Sequence, residues 1–550
     1  MQNKSEKSKF NNFIVQGGIL AFTGVLVRML GLAKRIPQAY IIGDIGNSYY
    51  SAAYEAYNIA YTIAAYGIPL SVSKLVSARV SKGEYKNANK VFKCALTFAV
   101  IMGLTAFLTV LFCADFFSNI LHEPMCSMAL KVLSPTLFVV CVMAVFRGYF
   151  QGLGSMVPTA VSQLVEQVIL IGVGLTSAYF FSGYGEKVGL ILHNENYKYA
   201  YGAAGTTLGC FAGAFAGMIF LVLLYKAHSR DFKRKVYRDQ TDVTETTREV
   251  FKILILTILP VLVSSFVNNL SNIIDLSIYN YSMVRKGLDD IKSVNWGIYS
   301  GKYTVLVNVP IAISASMGAS SVPTISGLVK QKNYEVVSSK ISSVLRITMM
   351  VSIPCAVGMA VLAPSLMWFL FSTTGETGPM LLRIGAAGIV FFSFSTLTNS
   401  ILQGMSRLIK PISHGLIALG LHVTLLMCLL KFTDMNIYAV PFSNNFFSLF
   451  ICILNLISIS KILGYRQEVK HTFIIPVIGS AVMGVVVYFL DKALCRNGYS
   501  RPLILITILV GAFVYFVFLL VTKGISKEDL SKVPGGTRLY GFLHKLHLMN

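Results

Sequence analysis

Arg28, Lys34 and Arg35 fall in or beside the first apolar stretch of the chain, and positions 28, 31 and 35 share one face of a helix. Gly31 leaves room between the charges for a ligand. Lys74 and Lys302 add cations from two other apolar stretches, and together these residues suit a cavity that takes phosphate. A second group lies on one face of the next stretch, where Ser51, Glu55, Asn58 and Thr62 follow at spacings of four, three and four. Tyr50, Tyr54, Tyr57 and Tyr61 run beside them, so this face could bind sugar hydroxyls and sugar faces, or Glu55 could neutralise Arg28. Ser264, Asn268, Asn272 and Asp275 form an oxygen-rich face further on, and Gln163, Glu166 and Gln167 form another. Glu166, Asn268, Asn272 and Asp275 could coordinate Na⁺ or carry a proton, or could pair with the cations.

Catalytic patterns are weak by comparison. There is no G-x-x-x-x-G-K-[ST] phosphate loop, and Gly152-Leu153-Gly154 lacks the third glycine of a dinucleotide site. Ser71 to Lys74 matches S-x-x-K, but Ser458 to Lys461 does so too, which shows how readily that pattern arises. His122-Glu123 lacks the second histidine of a zinc-protease helix, and nine scattered cysteines include no C-x-x-C. The chain reads as a non-enzyme with no catalytic residue, no resident metal and no cofactor.

The elements that must position these residues follow from composition. Of 550 residues, 55% are hydrophobic and 13% charged, and mean hydropathy is +0.66. Soluble proteins carry about a quarter charged residues. Apolar stretches long enough to cross ~30 Å of hydrocarbon recur from residue 13 to residue 522. They predict an all-α polytopic membrane protein of about fourteen helices, starting near residues 13, 50, 94, 131, 158, 201, 251, 298, 346, 381, 411, 437, 472 and 501. The first follows Lys4, Lys7 and Lys9 like a signal peptide, yet it runs past Leu32, contains Arg28 and lacks a small-x-small site. It is expected to be an uncleaved first helix.

The net charge of +23 is largely topological. Of the 47 lysines and arginines, 31 fall in the two tails and in alternate loops, a bias that puts both termini in the cytoplasm. Nucleic acid is therefore not the expected partner. Four basic residues remain inside the expected spans: Arg28, Lys74, Lys302 and Arg383. Snorkelling to the headgroups is the alternative for each, most of all for Arg383, which begins its helix.

The chain also repeats itself. Ile68-Pro69 followed by Lys82 and Tyr85 matches Val309-Pro310 followed by Lys330 and Tyr334, and Phe150-Gln151-Gly152 with Pro158 matches Leu402-Gln403-Gly404 with Pro411. Two six-helix lobes in parallel pseudo-repeat are expected, at 1–235 and 236–465, with two helices appended at 466–522 and a cytoplasmic tail at 523–550. The polar link from Lys226 to Arg248 looks long enough to let the lobes rock. Gly205, Gly209, Gly213 and Gly217 recur every fourth residue, which predicts close helix packing.

Several of these segments resemble one family. Arg147-Gly148-Tyr149-Phe150-Gln151-Gly152 with Pro158 and Gln163 to Gln167, the run Tyr66 to Lys74, and Gly301-Lys302 leading to Val307-Asn308-Val309-Pro310 are similar to oligosaccharide flippases. The likeness is to the Gram-positive branch that holds the stage V sporulation protein B-like proteins and the lipid II flippases. These lie within the multidrug/oligosaccharidyl-lipid/polysaccharide exporter superfamily. The resemblance implies a monomeric protein of the bacterial cytoplasmic membrane that moves an undecaprenyl-diphosphate-linked sugar precursor, such as lipid II, by alternating access. The lipid-linked substrate and membrane lipids are the expected partners, and the oxygen-rich faces leave coupling to Na⁺ or H⁺ open beside the membrane potential. The resemblance also implies that Arg28, Gly31 and Lys34 match an R-x-x-G-x-x-R-like pattern of essential cations, and that Lys302 stands where the family has a cavity cation. The competing expectation is a multidrug and toxin extrusion-type cation antiporter, whose cavity should be dominated by carboxylates such as Glu55, Glu166 and Asp275. A membrane glycosyltransferase would need a sizeable outer loop with a catalytic carboxylate, and the outer loops are short.

Overall fold

The computed structural model describes residues 2–522 apart from 63–66, 242–244, 332, 408, 496 and 497; the side chains of 2–22, 25, 59, 60, 259–269, 319, 323, 324 and 330 are also outside the description. The expected cytoplasmic tail at 523–550 lies outside the described residues. Among those described the chain is helical, with no strand. The first nine helices are α1 (Gln2–Thr62), α2 (Ile68–Val80), α3 (Tyr85–Phe112), α4 (Ala114–Ile120), α5 (Cys126–Gly152), α6 (Val157–Leu192), α7 (Asn196–Arg238), α8 (Thr247–Arg285) and α9 (Asp289–Ile298). A π-helical turn at Tyr299–Tyr303 leads into α10 (Thr304–Lys330). There follow α11 (Tyr334–Val361), α12 (Ala363–Phe371), α13 (Thr377–Gly404), α14 (Ile409–Phe432), α15 (Ala439–Leu463), α16 (Ile475–Leu494) and α17 (Arg501–Val521).

Eleven segments among the described residues are long and apolar enough to cross a membrane. The two arms of α1 and the long helix α8 add three more candidates, so the architecture is consistent with about fourteen spans. The protein is a multi-span helical membrane protein. By contacts it divides into two compact units between Gly301 and Lys302. The repeat places the lobe boundary at 235; in the contact map α8 and α9 pack on α1 and so fall in the first unit.

Local chemistry accounts for the boundaries. At Gly43 the backbone takes φ 65 and ψ −174, a left-handed conformation that favours glycine, and it breaks α1 into two arms. Lys34 and Arg35, expected in the loop after the first helix, therefore lie inside the first arm. α8 starts on a capping box, in which the Glu249 amide donates to Thr246 Oγ1 at 3.3 Å and the Thr246 amide donates to Glu249 Oε2 at 2.8 Å. The polar link is much shorter than expected, because α7 runs on to Arg238. Described residues at either end of the link are held: Arg79 Nη2 pairs with Glu245 Oε1 at 2.7 Å, the Lys86 amide donates to Asp239 Oδ2 at 2.7 Å, and the Glu245 amide donates to Asn87 Oδ1 at 3.1 Å.

Within lipid, helices are held by close packing more than by expulsion from water. The four-residue glycine ladder does this on α7, as expected. A methyl group at Gly205 would sit 2.5 Å from Ser177 O, and one at Gly213 would sit 2.5 Å from Glu166 O. In the first unit Gly152 of α5 meets Val76 and Ser73 of α2; in the second unit Gly404 of α13 meets Ile325 and Val322 of α10. The two glycines are those of the repeated Gln-Gly pairs.

Candidate functional site

The break at Gly43 folds the second arm of α1 back over the cations of the first. Lys34 is 4% exposed, and its Nζ lies 5.3 Å from the centroid of the Tyr50 ring. Arg35 sits 5.0 Å from the same ring. Such contacts are worth about 0.5–2 kcal/mol and hold the charge without consuming it. Gly31 is where α6 approaches, since a methyl group there would lie 3.4 Å from Gln167 Nε2. Arg28 is exposed and makes no ion pair or hydrogen bond with a described residue.

Arg28 lines a cavity of about 580 Å³ enclosed by α1, α2, α5 and α6. Tyr54 and Tyr61 contribute from the second arm of α1, Arg147 and Gln151 from α5, and Thr159, Gln163, Glu166 and Gln167 from α6. Arg147 is not among the four basic residues expected within the spans. Instead, α5 continues to Gly152 and buries Arg147 to 6% exposure. Its Nη2 pairs with Glu166 Oε2 at 2.7 Å and its Nε donates to Ser162 Oγ at 3.0 Å. Arg147 and Glu166 flank a short turn, 19 residues apart, and that spacing across a helical hairpin was the available signal. Gln151 Nε2 donates to Thr159 Oγ1 at 3.2 Å across the same hairpin.

The other expected residues are distributed as follows. Glu55 Oε2 accepts from Asn272 Nδ2 at 3.4 Å, so the second arm of α1 and α8 bring two of the candidates together. Asp275, one turn further along α8, is 2% exposed. Asn58 is half-buried and its carbonyl accepts from Thr62 Oγ1 at 2.8 Å. The Asn268 side chain lies outside the described residues. Ser51 is occupied by Trp296, whose Nε1 donates to its hydroxyl at 3.1 Å. Lys74 is exposed on α2 and does not line the cavity, although Pro69 and Leu70 of that helix do. Lys302 belongs to the second unit, where it is 6% exposed and its Nζ donates to Thr373 Oγ1 at 3.2 Å. Arg383 is exposed near the start of α13. The tyrosine stripe is continuous, with Tyr50 stacked on Tyr54 at 5.8 Å between ring centroids, and tilted contacts from Tyr54 to Tyr57 at 5.8 Å and from Tyr57 to Tyr61 at 5.3 Å.

The cavity can hold an anion. Two arginines and one glutamate line it, with the glutamate paired to Arg147, and the surrounding amides and phenols suit a hydroxyl-rich neighbour.

The family described as "Polysaccharide biosynthesis protein" matches residues 14–329. "Stage V sporulation protein B" of Bacillus subtilis is 24% identical over 531 residues, covering 94% of this chain and 96% of that protein. "Lipid II flippase MurJ" of the same organism is 25% identical over 548 residues, covering 96% and 97%. Among solved structures, a lipid II flippase in an inward closed conformation superposes with a TM-score of 0.66 at 14% identity, covering 91% of this chain and 97% of that one.

Proposed function

The chain belongs to the polysaccharide biosynthesis protein family, and from that premise we propose that it is a flippase for a lipid-linked, diphosphate-bearing sugar precursor. The likeness to the Bacillus subtilis lipid II flippase points to lipid II or a related cell-wall intermediate as cargo. One observation carries the reading: Arg28 lines the cavity with no ion pair to a described residue, while Arg147 is paired with Glu166. A cation held at that depth costs ~2.5 to 3.5 kcal/mol on insertion scales unless a ligand or water meets it. A diphosphate supplies the missing charge, and guanidinium groups bind it through paired hydrogen bonds.

The polyprenyl tail remains in lipid while the headgroup occupies the cavity, and alternating access carries the headgroup across. The repeated Gln-Gly contacts support two six-helix lobes, 1–235 and 236–465, as the moving bodies. The excess of basic residues in the tails and alternate loops supports cytoplasmic termini in the cytoplasmic membrane, and the protein acts as a monomer. Transport, not bond chemistry, is its task, driven by an ion gradient or the membrane potential.

The test is Arg28→Gln. Loss of one charge-assisted interaction of about 1.5–3 kcal/mol lowers translocation by at least about tenfold at unchanged protein abundance. Wild-type translocation in that variant would sink the assignment.

A further inference from the structure

We infer that Glu166 is a resident counter-ion, which holds Arg147 in the empty cavity and yields it to the diphosphate when the headgroup enters; this rests on the function proposed above. Arg147 and Glu166 are too buried to be left unpaired, with side-chain exposures of 7% and 14%, and both face the cavity. Arg28 has no such partner among the described residues. Empty, the two guanidinium groups and one carboxylate leave the cavity one positive charge in excess. A diphosphate brings more than one negative charge, enough to engage Arg28 and Arg147 together once Glu166 is displaced.

The released carboxylate has donors close by. Gln163 and Gln167 lie three residues before Glu166 and one after it on α6, line the same cavity, and carry amide N–H groups. Gln163 makes a second point, because its Oε1 is buried with no hydrogen-bond partner among the described residues. A buried acceptor beside an anion site calls for a donor on the ligand, and a sugar attached to the phosphate offers hydroxyls there. Glu166 thus sets affinity by competition: it keeps binding weak enough for the headgroup to leave.

The experiment measures binding of undecaprenyl diphosphate, with undecaprenol as the uncharged control, to the full-length protein in nanodiscs. Glu166→Gln keeps an acceptor for Arg147 but removes the competing charge. It should bind undecaprenyl diphosphate at least tenfold more tightly than wild type and release it more slowly. Arg147→Gln/Glu166→Gln, which leaves a neutral pair and no guanidinium at that position, should bind at least tenfold more weakly than wild type, and so at least a hundredfold more weakly than Glu166→Gln. Equal or weaker binding by Glu166→Gln overturns the counter-ion role. Should Glu166→Gln not accumulate, the double variant decides alone: binding tenfold below wild type supports the role, and binding equal to wild type overturns it. If wild type prefers undecaprenyl diphosphate no more than undecaprenol, the proposed cargo falls first, and the counter-ion role with it.

Discussion

Replacing Arg147 by glutamine should destabilise the protein far more than the same change at Arg28, although both residues line one cavity. Arg147 is enclosed, with its Nη2 at 2.7 Å from Glu166 and its Nε at 3.0 Å from Ser162. Arg147→Gln strands the Glu166 carboxylate, which is only 14% exposed, inside the helix bundle. Removing one member of a buried ion pair costs about 3–5 kcal/mol, chiefly because the remaining charge has lost its partner. Arg28→Gln breaks no such contact with a described residue, so it should stay within about 0.5 kcal/mol of wild type. Arg147→Gln/Glu166→Gln should recover most of the loss, since two amides can hydrogen-bond to one another with no charge left to solvate. Reversible unfolding in bicelles, or steric trapping in a bilayer, would give the three values. The reasoning fails if Arg147→Gln is no worse than Arg28→Gln, or if the double variant is as unstable as Arg147→Gln alone.

Other consequences follow from the fold. A side chain at Gly209 has nowhere to go, since a methyl group there would lie 2.6 Å from Leu170 O; Gly209→Val should abolish accumulation in the membrane, whereas Gly172→Ala, with nothing within 4 Å, should leave the amount unchanged. Burial raises the Glu123 carboxyl above its usual range, against the opposing pull of Lys292, Ser293 and Ser48. The folded state thus binds that proton more readily than the unfolded chain, so its contribution is full below the ordinary carboxylate pKa and is lost as pH rises through the raised value. Melting temperatures taken from about pH 4 to about pH 8 should show this fall in wild type and less of it in Glu123→Gln. Arg79→Ala unties Glu245 from the α2–α3 region; it should cost only about 1 kcal/mol but speed proteolysis between Arg238 and Thr247, and unchanged cleavage would mean that the pair does not secure the link.

The spans were legible because hydropathy and charge alternate on the scale of a bilayer, and the glycine ladder because its period is that of a helix face. Two misplacements share one cause. Lys34 and Arg35, like Arg147, are not among the four basic residues expected within spans, because a basic residue ordinarily marks the end of an apolar window. Their charges are instead satisfied inside the bundle, by the Tyr50 ring and by Glu166 respectively. Contacts distant in sequence left no local trace. Nothing near Ser51 announces Trp296, 245 residues on, and nothing near Glu55 announces Asn272, 217 residues on. Of Arg28, Gly31 and Arg35, expected on one helix face, only Arg28 lines the cavity, and the wall opposite it comes from α5 and α6.

The central claim is that this chain moves a lipid-linked diphosphate sugar across the membrane. The direct measurement uses the purified protein in liposomes that carry fluorescent lipid II in one leaflet, with a fluorescent organic cation in parallel. The account predicts that lipid II reaches the opposite leaflet with wild type, that Arg28→Gln lowers this rate at least about tenfold, and that the cation is not moved. Cation movement against a Na⁺ or H⁺ gradient, with lipid II left where it began, would contradict it.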